Sequence, residues 1–116
     1  MNLADLFRQK KCVLSFEVFP PKKSSGVESV THTLDELCAL GPDFISVTFG
    51  AGGTGVKDNR TVELAGAIRA RGMEPLAHLT CINSDEETLL GLLDRLEEAG
   101  VKNILALRGD RVEGAA

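Results

Sequence analysis

The chain has 116 residues, of which 43% are hydrophobic, and a formal net charge of -4. This length and composition are typical of one globular domain with a modest core. Because phosphate recognition needs a clustered basic surface, the acidic balance argues against a nucleic acid as the main partner. The sequence has no run of roughly 20 apolar residues that would span a membrane, and no apolar run of signal-peptide length follows the basic N-terminal residues. We therefore expect one soluble domain that is not exported.

The cysteines indicate a reduced compartment. Cys12, Cys38 and Cys81 are an odd number without CxxC spacing, so neither a disulfide framework nor a zinc site is indicated. We predict a cytoplasmic protein without a bound metal.

The first half of the chain predicts two helices and two strands in alternation. Residues 2–9 form a short amphipathic helix, and residues 13–19 form an apolar strand. Apolar residues at helical spacing follow, with Ser24 or Ser25 as the N-cap and Gly41 as the stop. Residues 44–48 repeat the strand pattern.

The second half continues this alternation. Its predicted elements are, in order, a helix from about Asp58 to Arg71 closed by Gly72, a strand over 75–81, a helix ended by Gly100 and a strand over 103–107. Ser84 and Glu87 have the spacing of a capping box ahead of the last helix. The glycine-rich loop at 50–55 lacks both the Walker lysine and GxGxxG spacing, which disfavours a phosphate cradle.

A pair of polar residues with two-residue spacing recurs where each predicted strand ends. The pairs are Ser15 and Glu17, Ser46 and Thr48, His78 and Thr80, and Arg108 and Asp110. Because side chains on a strand alternate faces, we expect the neighbouring apolar residues, including Leu105 and Leu107, on the opposite face. Polar side chains at the C-terminal ends of parallel strands are typical of α/β active sites.

Strands separated by helices run parallel with right-handed crossovers, which leaves two α/β architectures. An open doubly wound sheet is covered on both faces, so its strands should be apolar throughout. The polar face found here instead favours the first four β/α units of a TIM (β/α)8 barrel, which takes about 250 residues when complete. We predict parallel strands in the order 1-2-3-4 with helices on one face, and a C-terminal half that is absent.

Four segments resemble the methylenetetrahydrofolate reductases, which are flavin-dependent TIM-barrel enzymes of one-carbon metabolism. They are LSFEVFPPK at 14–22, SVTFGAGG at 46–53, AHLTC at 77–81 and LALRGD at 105–110. The resemblance covers nearly the whole chain after residue 12. It implies that residues 1–116 are the N-terminal portion of a single flavin-dependent reductase barrel domain, which is a homo-oligomer at full length.

The resemblance also implies an activity and its cofactors. FAD would take a hydride from NADH or NADPH and deliver it to 5,10-methylenetetrahydrofolate, giving 5-methyltetrahydrofolate. Strands five to eight would carry the remaining contacts to FAD, so the 116-residue chain is not expected to be competent alone.

Family positions map onto residues of this chain. Opening the folate ring requires protonation of a nitrogen leaving group, and Glu17 matches the family's general acid. Asp110 resembles a catalytic aspartate close to both flavin and folate, whose negative charge would make the reduced flavin a better hydride donor. The flavin-contacting positions are Thr48, His78, Arg108, Gly109 and Asp110, and the folate-binding positions are Glu17, Thr48 and Asp110.

Each site residue also has a plainer interpretation. Glu17 would pair with Lys22 or Lys23 at the surface, and His78 would be a hydrogen-bonded core histidine. Arg108 would pair with Asp110 across a turn. At the level of the whole chain, the alternatives are a non-catalytic flavin- or nucleotide-binding half barrel and a structural half barrel that assembles with a partner.

Overall fold

The computed structural model describes residues 2–20, 28–49, 60–81 and 85–108. Its helices are α1 (Leu3–Gln9), α2 (Glu28–Ala39), α3 (Thr61–Ala70) and α4 (Glu86–Glu98). Its strands are β1 (Ser15–Val18), β2 (Phe44–Val47), β3 (Pro75–Thr80) and β4 (Asn103–Leu107). Within these ranges, no helix is long and apolar enough to cross a membrane.

The four strands form one parallel sheet in the order β1-β2-β3-β4. This order confirms the prediction, because each strand lies beside the next one in sequence. A helix follows each of the first three strands. The arrangement is that of the first four β/α units of a TIM barrel.

Glycine ends three of the helices where the sequence predicts it. Gly41, Gly72 and Gly100 follow the last turns of α2, α3 and α4 with φ angles of 71°, 77° and 81°. A residue with a Cβ atom adopts this left-handed conformation at a steric cost, so glycine is the usual choice at these positions.

The helix starts agree less well with the sequence prediction. Asn2 is the N-cap of α1, and its side chain accepts from the backbone N–H of Ala4 at 2.9 Å. The N-cap of α4 is Asp85, whose carboxylate accepts from the N–H of Thr88 at 2.7 Å. The predicted Ser84 capping box is therefore wrong by one residue. The hydrogen bonds from Thr88 also hold the pKa of Asp85 below its ordinary value. Ser24, Ser25 and Asp58 lie outside the described residues.

The main core lies between one face of the sheet and helices α2 to α4. The fully or nearly fully buried residues of this cluster include Leu34, Ile45, Val47, Leu64, Ile68, Ala77, Leu79 and Leu96. Since Ile45 and Val47 alternate with Phe44 and Ser46, the latter two point to the other face.

Helix α1 packs against that other face, near the N-terminal ends of the strands. Leu3 and Leu6 form a second buried cluster with Phe44, and Leu76 packs against it. The N–H of Leu3 donates to Oδ1 of Asn103 at 3.1 Å. The prediction that the helices flank one face holds for α2 to α4 and is wrong for α1.

The side-chain directions in β4 differ from the prediction. Leu105 is the register partner of His78, and Leu107 is the register partner of Thr80. Because register partners in a parallel pair share a face, both leucines lie on the face predicted to be polar. Ile104 and Ala106 take the helix side. The prediction was wrong because β4 ends at Leu107, so Arg108 follows the strand rather than alternating within it.

Candidate functional site

Four of the predicted site residues lie at or near the C-terminal edge of the sheet. Glu17 and His78 lie within β1 and β3, while Thr48 and Arg108 directly follow β2 and β4. Parallel strands bring these positions to one edge. Gly109 and Asp110 lie outside the described residues, so their roles remain predictions.

The structure brings Glu17 and His78 together. The Nε2 atom of His78 lies 3.6 Å from Oε1 of Glu17. Both side chains project from the same face of the sheet and meet above β2, which separates their strands. This contact is consistent both with a site role for His78 and with its interpretation as a hydrogen-bonded core histidine. Lys22 and Lys23, the alternative partners of Glu17, lie outside the described residues.

The two members of this pair differ in their exposure to solvent. The side chain of Glu17 is 51% exposed, whereas that of His78 is 13% exposed. In the described sheet, β3 lies between two neighbouring strands, whereas β1 has β2 as its one neighbour. The pair therefore joins a largely buried imidazole to a half-exposed carboxyl group.

Thr48 is fixed through its backbone. Its N–H donates to the carbonyl oxygen of Val18 at 3.1 Å. Its carbonyl oxygen accepts from the hydroxyl of Thr61, the first residue of α3, at 2.8 Å. Thr61 is 2% exposed and Thr48 is partly exposed, so a partly buried hydrogen bond joins the end of β2 to the start of α3.

Ser46 is a site residue that the sequence prediction omits. It is the register partner of Glu17 and is only 7% exposed. Within the described ranges its hydroxyl forms no hydrogen bond, which is uncommon for a buried polar group. The polar pair of Ser46 and Thr48 was the signal in the sequence, but only the register shows that Ser46 lies beside Glu17, the predicted general acid.

The described groups suit proton transfer. A carboxyl and an imidazole on an accessible polar face are the usual side chains of general acid and base catalysis. Among the residues that the structure describes, no three His, Cys, Asp or Glu side chains lie close enough to hold a metal ion.

Comparison with known proteins identifies a family. A family model described as "Methylenetetrahydrofolate reductase" matches residues 2–116. The 5,10-methylenetetrahydrofolate reductase of Pectobacterium carotovorum is 41% identical over 110 residues, which are 94% of this chain and 36% of that protein.

Two further relatives come from a plant and from another bacterium. Methylenetetrahydrofolate reductase (NADH) 1 of Arabidopsis thaliana is 38% identical over 97% of this chain and 19% of that protein. The 5,10-methylenetetrahydrofolate reductase of Escherichia coli is 38% identical over 88% of this chain and 34% of that protein. The chain thus spans well under half the length of these relatives.

Proposed function

Because the chain belongs to the methylenetetrahydrofolate reductase family, we propose that it forms part of an active site that reduces 5,10-methylenetetrahydrofolate to 5-methyltetrahydrofolate. The observation that carries this proposal is the approach of Glu17 to His78, at 3.6 Å, on the face of the sheet opposite helices α2 to α4. A general acid must be reachable by a substrate bound at the C-terminal edge, and the half-exposed carboxyl of Glu17 meets that condition.

The residues at this edge also fit a bound flavin. Three neighbouring strands carry or directly precede the predicted flavin contacts Thr48, His78 and Arg108. The buried hydroxyl of Ser46 forms no hydrogen bond with the described residues, so it can form one with a ligand. We assign Thr48, His78 and Arg108 to FAD binding, with Gly109 and Asp110 as further predicted contacts. When bound, FAD supplies the hydride chemistry. Since the Arabidopsis relative is named for NADH, we propose NADH as the hydride donor.

Glu17 has the acid role in this scheme. Reduction of the methylene carbon breaks its bond to a folate nitrogen, which departs more easily when it is protonated. The Glu17 carboxyl donates this proton and becomes a carboxylate, which solvent then reprotonates. We also place the protein in the cytoplasm, because Cys12, Cys38 and Cys81 are free thiols.

A fusion protein tests this proposal. Residues 1–116 replace the matching part of the Escherichia coli relative, and NADH oxidation is measured with and without 5,10-methylenetetrahydrofolate. We expect a yellow protein with folate-dependent turnover, which Glu17→Gln abolishes. Glu36→Gln is the matched control, because Glu36 pairs with His32 at 2.9 Å on the exposed surface of α2. Folate-dependent turnover that survives Glu17→Gln contradicts the proposal.

A further inference from the structure

We propose that His78 is a positioning residue that holds the carboxyl group of Glu17 for proton transfer. This inference rests on the proposed function and adds a second role to His78, beside its contact with FAD. Its basis is the distance of 3.6 Å between Nε2 of His78 and Oε1 of Glu17.

The sheet explains how these two residues meet. β1 and β3 lie on either side of β2, so their backbones are roughly 10 Å apart. The glutamate and the imidazole extend towards each other across this gap. Beneath them lies Ser46, the register partner of Glu17, whose small side chain leaves the space above β2 open. A long or branched residue at this position would stand between the two groups.

The difference in exposure sets the direction of the effect. The imidazole is 13% exposed on a strand paired on both sides, while the carboxyl is 51% exposed. A free glutamate side chain samples several rotamers, and an error of 1 Å in the position of a catalytic group can lower a rate by roughly 100-fold. His78 therefore restricts Glu17, rather than the reverse.

The chemistry needs no additional reactant. Neutral His78 with its proton on Nε2 donates a hydrogen bond to one carboxyl oxygen of Glu17 and keeps that proton throughout. The other carboxyl oxygen carries the proton that passes to the folate nitrogen. The present distance is slightly longer than a hydrogen bond, and such catalytic contacts commonly shorten when substrate binds.

Five variants of the fusion protein test the proposal. They are His78→Leu, His78→Gln, Glu17→Gln, Glu17→Asp and the double variant His78→Leu with Glu17→Asp. Stopped-flow absorbance measures the reduction of the flavin by NADH and its reoxidation by 5,10-methylenetetrahydrofolate separately. We expect His78→Leu to slow the folate step by roughly 10- to 100-fold more than the NADH step, because any change in the NADH step reports the lost contact between His78 and FAD alone. His78→Gln keeps a donor at a similar reach and should restore most of the folate step.

The double variant separates positioning from other roles. If His78 acts through Glu17, His78→Leu adds little further loss in the Glu17→Asp background, because the shorter side chain keeps an acid but no longer reaches His78. Equal slowing of both half-reactions, or independent losses in the double variant, would overturn the positioning role. A Glu17→Gln variant that still reduces folate would instead overturn the proposed function, so the two failures are distinguishable.

A measurement on the 116-residue chain tests the contact without cofactor or turnover. The chain has two histidines, and each lies near one glutamate. We expect Glu17→Gln to shift the ring NMR resonances of His78 and not those of His32. Glu36→Gln should shift His32 alone. Ring resonances of His78 that do not respond to Glu17→Gln would contradict the contact.

Discussion

The hydroxyl of Thr61 donates to the carbonyl oxygen of Thr48 at a distance of 2.8 Å. Thr48 follows β2 and Thr61 begins α3, so this bond closes the segment of chain between a strand and its helix. The same Thr48 donates its N–H to Val18 at the end of β1. Hydrogen bonds thus join the backbone of Thr48, at the edge of the predicted site, to both α3 and β1.

Replacing Thr61 with valine should destabilise the chain by about 1 to 2 kcal/mol, because the similar shape is kept while the partly buried carbonyl of Thr48 loses the hydroxyl of Thr61. Urea unfolding of the 116-residue chain measures this change. Thr33→Val is the matched control, since Thr33 is exposed on α2, and it should stay within about 0.5 kcal/mol of the wild type. Equal effects of the two substitutions would contradict a structural role for the bond.

The core provides a second prediction. Leu64 on α3 is 0% exposed, whereas Leu90 on α4 is 54% exposed. We expect Leu64→Ala to lower the free energy of unfolding by about 3 kcal/mol, through lost burial and the cavity left behind. Leu90→Ala should change it by less than about 0.5 kcal/mol. Similar losses of stability at both positions would contradict the assignment of Leu64 to the buried face of α3 and of Leu90 to the exposed face of α4.

Removal of the Ser46 hydroxyl should stabilise the isolated chain. The hydroxyl is buried and has no hydrogen bond among the described residues, so Ser46→Ala removes a group whose desolvation costs about 1 kcal/mol or more. Ser15→Ala, at an exposed position of β1, is the control and should be neutral. Thermal unfolding compares the two, and a lower Tm for Ser46→Ala would show that the hydroxyl has a partner.

Asp43 should make the stability depend on pH. The hydrogen bond from Lys10, at 2.6 Å, and a second from the N–H of Leu14, at 2.9 Å, hold the pKa of Asp43 below its ordinary value of 3.8. A carboxyl whose pKa is depressed in the folded state contributes stability that is fully present above the unfolded-state pKa. This contribution is lost as the pH falls through the folded-state pKa.

The variant Asp43→Asn should therefore be less stable than the wild type at pH 7. Its deficit should shrink as the pH falls below about 4, near the ordinary pKa of an aspartate. Thermal unfolding across this range measures the difference between the two proteins. A deficit that stays constant down to the lowest pH would show that the carboxylate charge does not contribute.

Much of the fold was predictable because its signals are local. Periodicity located the helices and strands, and Gly41, Gly72 and Gly100 marked three helix ends. Position-specific features were less predictable. Asp85 and Ser84 both suit an N-cap, and the choice between them depends on where the backbone enters α4. The side on which α1 packs depends on tertiary contacts with Phe44 that no local pattern contains.

The sequence predicted the strand and the sheet edge of each site residue, but not which site residues lie in contact. The alternation of side chains along each strand predicted that Glu17 and His78 share a face of the sheet. The predicted order of parallel strands placed both residues near the same edge. Their distance depends on the register between strands and on side-chain reach, neither of which is encoded in spacing. The faces of Leu105 and Leu107 were predicted wrongly. The prediction assumed that alternation continues to the polar pair of Arg108 and Asp110, but β4 ends at Leu107, directly before that pair.

The proposed general-acid role of Glu17 is tested most directly by measuring both half-reactions of the fusion protein that carries Glu17→Gln. Because the substitution removes the proton donor and keeps the shape of the side chain, the flavin should still be reduced by NADH at the unsubstituted rate. Its reoxidation by 5,10-methylenetetrahydrofolate should be lost. Loss of both half-reactions to the same degree would contradict the assignment, since Glu17 would then serve flavin binding or stability rather than protonation of the folate.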